Sequence, residues 1–133
     1  MAAQQAWDAE LVIVADPALL QQRATALDLP IGLRIHDNRS TAGPHQPGIL
    51  SVAPVALTAP ATPGTLDPAN AAYILQTLQQ AADGCMKGDY HAMVTAPVQN
   101  SVINDAGIAF CGHTEFLAEV TGTGQVVMML ATQ

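Results

Sequence analysis

The stretch Glu10–Arg34, ELVIVADPALLQQRATALDLPIGLR, decides the fold class because it predicts a strand, a helix and a second strand in succession. Its first seven residues form a near-continuous apolar run, which is typical of a strand covered on both faces in a parallel sheet. Asp16 and Pro17 suit the N-cap and the first turn of the helix, which is predicted over Ala18–Leu27. The second strand is predicted over Gly32–His36.

The same alternation of strands and helices continues downstream. Ile49–Val55 predicts a third strand, and Asp67 with Pro68 predicts the start of a long amphipathic helix. Apolar residues recur along this helix at spacings of three and four: Ala72, Leu75, Leu78, Ala82 and Cys85. The remaining predicted elements are a strand, two helices and a strand, over Ala92–Val98, Gln99–Ala106, Thr114–Val120 and Gln125–Thr132. We therefore expect an α/β fold, with a mainly parallel sheet and flanking helices.

Composition and charge exclude several classes of function. Half of the 133 residues are hydrophobic and 11% are charged, so the chain is a folded domain rather than a disordered segment. The formal net charge is −7, and only four residues are Lys or Arg. Nucleic acids and anionic membrane surfaces are bound through clustered basic side chains, which this sequence lacks. We therefore expect neither nucleic acid nor a membrane among the partners.

The sequence also bears on the cellular compartment. The first ten residues have no basic stretch followed by an apolar run, so they do not predict a signal peptide. The longest apolar run, Val126–Ala131, is far shorter than a membrane span. Cys85 and Cys111 are too few for a disulfide framework and lack the spacing of metal ligands. We therefore expect a protein of the reducing cytoplasm.

A polar cluster, Cys111-Gly112-His113-Thr114-Glu115, lies at the start of the helix that is predicted over Thr114–Val120. A histidine, a hydroxyl and a carboxylate at a helix start are suited to holding a small anionic ligand. Cys111 beside His113 also suggests a thiol nucleophile, but no third group that would orient the histidine is evident. The later TGTGQ segment lacks the preceding strand and following helix of a dinucleotide-binding loop.

Residues 95–132, TAPVQNSVINDAGIAFCGHTEFLAEVTGTGQVVMMLAT, resemble the central signature of the 4-hydroxythreonine-4-phosphate dehydrogenase family. Four blocks carry the resemblance, in the order Thr-Ala-Pro, Asn-Asp-Ala-Gly, Gly-His-Thr-Glu and Val-Met-Met-Leu. Gly-His-Thr-Glu after Asn-Asp-Ala-Gly is the specific part of this pattern. Glu10–Arg34 also resembles the early strand–helix–strand unit of the family, so the resemblance covers nearly the whole chain from about Gln5.

The resemblance implies an enzyme of pyridoxal 5′-phosphate (pyridoxine) biosynthesis with an isocitrate/isopropylmalate-dehydrogenase-like fold. The implied reaction is the NAD-dependent oxidation, with decarboxylation, of 4-phosphohydroxy-L-threonine, which is a small phosphorylated hydroxy amino acid. A divalent metal (zinc, magnesium or cobalt) would act as Lewis acid, and the complete enzyme would be a homodimer. The resemblance implies that His113 and Thr114 bind the substrate, and it assigns no catalytic or cofactor-binding residue in this chain.

The sequence departs from the family pattern in three respects that limit what it predicts. One is that it lacks the Gly-rich Pro-Gly-Glu-Pro loop that the family has before the first strand. The metal-binding histidines of the family lie beyond the position of Gln133, so no metal ligand is predicted in this chain. Gln99 and Asn100 stand where the family has basic residues. We therefore expect residues 1–133 to form a single incomplete α/β region, the substrate-contacting part of a larger two-domain enzyme, which is inactive alone.

Two alternative functions remain open on the sequence. One is a non-catalytic binding or assembly module derived from the same fold. The other is a dehydrogenase of a related hydroxy acid, which the neutral Gln99 and Asn100 would suit. Val126–Leu130 has the character of a strand covered on both faces, although no further element follows to cover it. We therefore expect an exposed apolar face there that promotes association.

Overall fold

The predicted strand–helix–strand unit is present in the computed structural model, which describes residues 2–132. Strand β1 spans Val12–Ala15, helix α1 spans Pro17–Ala26 and strand β2 spans Gly32–Ile35. The side chain of Asp16 accepts a hydrogen bond from the backbone N–H of Leu19, so Asp16 is the N-cap of α1, and the helix begins with proline. All three elements of this prediction are confirmed.

Strand β3, Ile49–Pro54, lies between the other two strands, and both neighbours run parallel to it. In this register, Val12 of β1 is the partner of Ser51. The four middle residues of β3 are buried, as expected for the central strand of a parallel sheet. Pro54 does not interrupt the pairing because it is the last residue of the strand. The predicted parallel sheet is therefore confirmed.

The chain divides after Ala61 into two compact units, and the sheet belongs to the first. A core cluster in this unit comprises the buried Ala3, Leu50 and Val52, with the partly buried Ile13, Leu20, Ile31 and Leu33 packed against them. Ile13 and Leu20 belong to the apolar positions that predicted β1 and α1. The sequence pattern and the observed core therefore coincide in this unit.

The second unit is helical. It contains α2, Ala71–Lys87, then α3, Asn100–Asp105, and α4, His113–Thr121. A short 3-10 helix, Pro68–Asn70, precedes α2, and the side chain of Asp67 caps it by accepting from the backbone N–H of its second residue. The predicted helices in this part of the chain are confirmed. The core cluster of this unit contains the buried Ala71, Leu78, Ile103 and Phe110.

Two predicted strands are wrong. Neither Ala92–Val98 nor Gln125–Thr132 forms a strand in the part of the chain that the structure describes. Val94 is 96% exposed, and the exposed fractions in the second segment range from 42% at Val126 to 88% at Leu130. A segment of high β propensity becomes a strand only where a neighbouring strand supplies backbone partners, and no described strand pairs with either segment. Both segments have the composition of strands, but no neighbouring strand among the described residues pairs with them.

The expected apolar face is confirmed at Val126–Leu130, which we call the apolar segment. All five of its side chains are exposed to solvent. Five consecutive exposed apolar side chains form a continuous apolar surface that promotes association, whereas isolated exposed apolar residues are common in folded proteins. The apolar segment is therefore a surface that binding to a further partner would stabilise.

Asp16 links helix α1 to the chain that follows β3. Its Oδ2 accepts a hydrogen bond from the backbone N–H of Leu57 at 2.8 Å, and its Oδ1 accepts from that of Leu19 at 2.9 Å. These hydrogen bonds, led by the one from Leu57, hold the pKa of Asp16 below its usual range, while partial burial acts in the opposite direction. The folded chain therefore favours the ionised carboxylate.

The substitution Asp16→Asn should lower the free energy of unfolding by about 1–2 kcal/mol at neutral pH, because an amide cannot accept both N–H groups in this geometry. Since the pKa of Asp16 is lower in the folded than in the unfolded chain, the stabilisation is fully present above about pH 5. It is lost as the pH falls through the lowered pKa of the folded chain. Urea unfolding from neutral to acidic pH measures this difference.

The control for this prediction is Asp8→Asn, at an exposed carboxylate. The stability of the wild-type protein should approach that of Asp16→Asn in acid, whereas Asp8→Asn should follow the wild type throughout. A difference between Asp16→Asn and the wild type that stayed constant into acid would contradict the assigned role.

Candidate functional site

The predicted polar cluster lies at the start of α4, and α3 holds the chain that leads into it. Asn100 and Asn104 lie one helical turn apart on α3, so their side chains share a face. Asn104 Nδ2 donates to the carbonyl oxygen of Phe110 at 3.1 Å, and the backbone N–H of Phe110 donates to Asn104 Oδ1 at 2.9 Å. Asn100 Nδ2 donates to the carbonyl oxygen of Cys111 at 2.9 Å. Two amides of α3 thus fix the two residues before Gly112.

Phe110 anchors the same segment in the core. Its side chain is buried, and its ring centroid lies 6.1 Å from that of Phe116 in a tilted arrangement. The ring of His113 meets the ring of Phe110 edge-on, with centroids 6.3 Å apart and an interplanar angle of 78°. Such edge contacts between rings are favourable by about 0.5–1.5 kcal/mol beyond the area that they bury. The Phe110 ring therefore orients the imidazole of His113.

The imidazole of His113 has one nitrogen without a partner. Its Nε2 atom is closed off from solvent, and no described residue forms a hydrogen bond with it. A buried polar atom left unpaired costs about 1–3 kcal/mol, and nearly all such atoms in folded proteins are paired. Nε2 can donate or accept a hydrogen bond, according to the tautomer. The atom is therefore a candidate contact for a bound ligand.

The N-terminus of α4 offers backbone donors beside this imidazole. Gly112 is the N-cap, and no side chain among the described residues caps the helix there. The hydrogen bond from the N–H of Phe116 to the carbonyl oxygen of Gly112, at 3.2 Å, begins the helical ladder. The N–H groups before it and the helix dipole favour an anion. Glu115 is the acidic residue of this first turn, so an anionic ligand would have to lie clear of its exposed carboxylate.

The structure places the predicted substrate residues His113 and Thr114 side by side in the first turn of α4, and both are partly buried. Asn100 lies beside the cluster, since its amide contacts Cys111. Gln99 is exposed, and its Nε2 donates to the hydroxyl of Ser101 at 3.1 Å. The structure thus brings Asn100, His113 and Thr114 together, whereas Gln99 forms no hydrogen bond with the cluster among the described residues. The binding role of His113 and Thr114 stays a prediction.

Sequence reasoning missed Asn104. The side chain of Asn104 forms hydrogen bonds with both the backbone N–H and the backbone carbonyl oxygen of Phe110. The backbone carbonyl oxygen of Asn104 accepts a hydrogen bond from the N–H of Gly107 at 2.9 Å. The available signal was the repetition of asparagine at positions 100 and 104, on one face of a short helix just before a glycine turn. The spacing indicates a shared face, but the sequence alone does not show what that face contacts.

A separate cavity of about 250 Å³ lies in the first unit, beside β2 and β3. Arg34 on its wall donates to the hydroxyl of Ser51 at 2.7 Å and lies 3.8 Å from the carboxylate of Glu10. His36 Nδ1 is 3.6 Å from the same carboxylate. His45 is buried, and its Nε2 is closed off from solvent without a partner among the described residues. The charges here are matched within the unit, so the cavity presents no net attraction for an anion.

Comparison with known proteins decides the family. The sequence model described as "Pyridoxal phosphate biosynthetic protein PdxA" matches residues 7–133. The chain belongs to the PdxA family. It is 51% identical over 131 residues to the 4-hydroxythreonine-4-phosphate dehydrogenase of Serratia proteamaculans (strain 568), and 52% identical over 123 residues to that of Methylococcus capsulatus. The family recognised from the residue blocks of the sequence is therefore confirmed, and its relatives are named as dehydrogenases.

The chain spans only part of these relatives. The Serratia alignment covers 98% of this chain and 40% of the relative, and the Methylococcus alignment covers 92% and 37%. The crystal structure of the Klebsiella pneumoniae 4-hydroxythreonine-4-phosphate dehydrogenase matches with a TM-score of 0.82 and 26% identity, over 96% of this chain and 39% of that chain. The Burkholderia phymatum enzyme shares the fold, with a TM-score of 0.78. The expected α/β, isocitrate-dehydrogenase-like PdxA fold is thus confirmed.

The described residues of this PdxA chain do not fit the metal that the family resemblance implies. Within residues 2–132, no three His, Cys, Asp or Glu side chains are grouped so that they could hold a metal ion. Cys85 and Cys111 are both free thiols. The TGTGQ segment follows α4 rather than a strand, so it does not fit a dinucleotide loop either. No helix among those described is long and apolar enough to cross a membrane.

The role of Phe110 in this PdxA site yields a testable prediction. Phe110→Leu should lower the free energy of unfolding by about 1–2 kcal/mol and loosen the imidazole, because both ring contacts are lost. The matched control is Phe116→Leu, which removes the contact with Phe110 but leaves the His113 ring on Phe110. NMR signals of the His113 ring should shift and broaden in the first variant far more than in the second. Equal effects in both variants would contradict the orienting role.

Proposed function

We propose that residues 1–133 are the substrate-contacting part of a larger two-domain 4-hydroxythreonine-4-phosphate dehydrogenase. The complete enzyme oxidises 4-phosphohydroxy-L-threonine with NAD, and the oxidation product loses carbon dioxide. One observation carries the proposal: the unpaired, buried Nε2 of His113 at the start of α4, inside a sequence that matches the PdxA family. The names of the relatives, which are dehydrogenases of this substrate, supply the reaction.

His113 and Thr114 each have a defined part in this proposal. Nε2 of His113 donates a hydrogen bond to the phosphate or the carboxylate of the substrate, which relieves its burial without a partner. The hydroxyl of Thr114 adds a second, shorter contact from the same turn. A hydrogen bond to a charged group stabilises a complex by about 1.5–3 kcal/mol. The free N–H groups at the start of α4 suit the same anion.

The remaining chemistry belongs to polypeptide outside residues 1–133 in this proposal, since the chain spans about two fifths of its relatives. That polypeptide supplies the ligands of a divalent metal and the nicotinamide site, and it completes a cytoplasmic homodimer. The exposed apolar segment, Val126–Leu130, is consistent with this division, because the additional polypeptide would cover it.

A second candidate substrate is a related hydroxy acid with less negative charge. Gln99 and Asn100 are neutral, and the amide of Asn100 is engaged with the carbonyl oxygen of Cys111. Phosphate recognition favours concentrated positive charge, and neither residue supplies it. The complete enzyme would then prefer a hydroxy acid without the phosphate, and substrate competition distinguishes the two.

We predict that the 133-residue chain alone produces no NADH from 4-phosphohydroxy-L-threonine, NAD and a divalent metal. Joined to the remaining part of the Serratia relative, it should produce NADH, measured by absorbance. In that chimera, His113→Ala should lower kcat/KM roughly tenfold to hundredfold, which is the loss of one hydrogen bond to a charged group. Thr114→Val should lower it less.

The matched control is His91→Ala, at an exposed histidine of the same unit. NADH production by the 133-residue chain alone would overturn the proposal that it is a partial enzyme. An active chimera in which His113→Ala behaves like His91→Ala would overturn the binding role of His113. A chimera that binds other polypeptides but is inert towards every hydroxy acid would favour the non-catalytic assembly module.

The apolar segment makes a prediction about association. The chain should self-associate and bind an apolar dye at high concentration, because five adjacent apolar side chains are exposed. The double substitution Val127→Lys and Met129→Lys should reduce both effects, as measured by light scattering and dye fluorescence. Val94→Lys changes a single exposed apolar residue outside the segment and serves as the control. Equal behaviour of the two variants would contradict the prediction.

A further inference from the structure

The α3–α4 connection, residues 106–112, is held at its start by backbone hydrogen bonds to α3 and by Ile108, which packs against the core cluster. It leaves α3 through Gly107, whose φ of 80° lies in the left-handed region that favours glycine. Phe110 is the buried residue of the connection, and it carries the ring against which the His113 imidazole lies. Gly112 supplies no capping side chain for α4. The orientation of the first turn of α4 therefore depends in part on what holds Phe110 and Cys111, beside the packing of Phe116 against the core cluster.

Two asparagine amides provide that hold. Asn104 satisfies both backbone groups of Phe110, in the way that a neighbouring strand would, and Asn100 satisfies the carbonyl oxygen of Cys111. All three hydrogen bonds span 2.9–3.1 Å, which is the normal range for N–H···O contacts. Both residues lie on α3, and Ile103 of this helix is fully buried, so the amides project from an anchored element.

We propose that Asn104 and Asn100 are positioning residues of the binding site: they fix Phe110 and Cys111 and thereby hold the His113 imidazole and the first turn of α4 in the orientation that receives the ligand. The inference deepens the proposed function and rests on it for the identity of the ligand. The placement of the imidazole can be tested without any ligand.

The chemistry of the amide suggests the decisive substitution. Asn104→Asp keeps the size and the acceptor oxygen of the side chain, but the ionised carboxylate cannot donate to the carbonyl oxygen of Phe110 and repels it. A protonated carboxyl group, in contrast, can donate and accept as the amide does. The Asn104→Asp variant should therefore be disturbed at neutral pH and should recover wild-type geometry as the pH falls below about 4, the usual pKa of an aspartic acid side chain. A side chain that merely fills space would show no such recovery.

The readout is the His113 imidazole and the Gly112 and Thr114 amides in NMR spectra of the full 133-residue chain without ligand. These signals should shift and broaden at neutral pH in Asn104→Asp and in Asn100→Asp, because each ionised carboxylate loses the hydrogen bond that the amide donates to a backbone carbonyl oxygen of the connection. The matched control is Gln99→Glu, the same change at the neighbouring residue, whose amide contacts Ser101 rather than the connection. The wild type at each pH controls for the other titrating groups on α2, α3, α4 and the connection: Tyr73, Asp83, Cys85, Lys87, Asp105, Cys111, His113, Glu115 and Glu119.

Titration with 4-phosphohydroxy-L-threonine then tests the link to binding. Asn104→Asp should weaken the binding at least roughly tenfold at neutral pH, because misplacement of binding groups by about 1 Å is costly. Asn100→Asp should also weaken it, and Gln76→Glu, the same change at an exposed residue of α2, should match the wild type. If Asn104→Asp fails to fold, the positioning role is tested with Asn100→Asp alone, by comparing its His113 signals and its ligand affinity with those of the wild type.

The outcomes separate this inference from the proposed function. His113 signals that move in the Asn104 and Asn100 variants but not in Gln99→Glu support the positioning role, whether or not the wild-type chain binds the ligand. Signals that stay in place in both variants, or that move equally in Gln99→Glu, overturn it. If the His113 signals of the wild-type chain do not change at saturating ligand, the proposed function is contradicted. The positioning role is then decided by the ligand-free spectra.

Discussion

The backbone of Phe110 is held by a single amide side chain, and the geometry of the candidate site depends on this pair of hydrogen bonds. Asn104 donates to the carbonyl oxygen of Phe110 and accepts from its N–H. The ring of Phe110 is thereby fixed in the core, and the imidazole of His113 lies edge-on against it. Gly112 supplies no capping side chain, so the first turn of α4 relies on these contacts together with the packing of Phe116 against the core cluster. The site is therefore assembled from α3 towards α4.

Two features of the second unit are energetically unfavourable among the residues that the structure describes. An unpaired, buried Nε2 costs about 1–3 kcal/mol, and a ligand that accepts from it removes that cost. The exposed side chains of Val126–Leu130 lose about 1.5–3 kcal/mol each relative to full burial, and a covering polypeptide would recover part of it. The proposal that further polypeptide covers the apolar segment rests on the two fifths of the length of the relatives that the chain spans.

The first unit could be predicted from sequence because local and global signals agree in it. The apolar run of β1, the Asp16 cap and the proline that begins α1 each specify the structure that is observed. In the second unit, the capping residue Asp67, Pro68 and the apolar periodicity predict the long helix α2. The two strands that failed, Ala92–Val98 and Gln125–Thr132, have strand composition, but pairing is a long-range property that a segment does not encode by itself.

The candidate site was predicted in part. His113 and Thr114 were identified from the Gly-His-Thr-Glu block, because a distinctive run of residues carries family information that periodicity does not. Asn104 is the first residue of the Asn-Asp-Ala-Gly block, but the sequence does not predict its contact with Phe110, because that partner lies six residues away across a glycine turn. The unpaired state of His113 Nε2 is a property of packing and hydrogen bonding in three dimensions, and it has no signature in the sequence.

The most direct measurement is a crystal structure of this chain joined to the remaining polypeptide of a relative, with 4-phosphohydroxy-L-threonine bound. Our account predicts that His113 Nε2 lies within hydrogen-bond distance, about 3.2 Å or less, of a phosphate or carboxylate oxygen of the substrate. A bound substrate that makes no contact with His113 or Thr114, with Nε2 still unpaired, would contradict it.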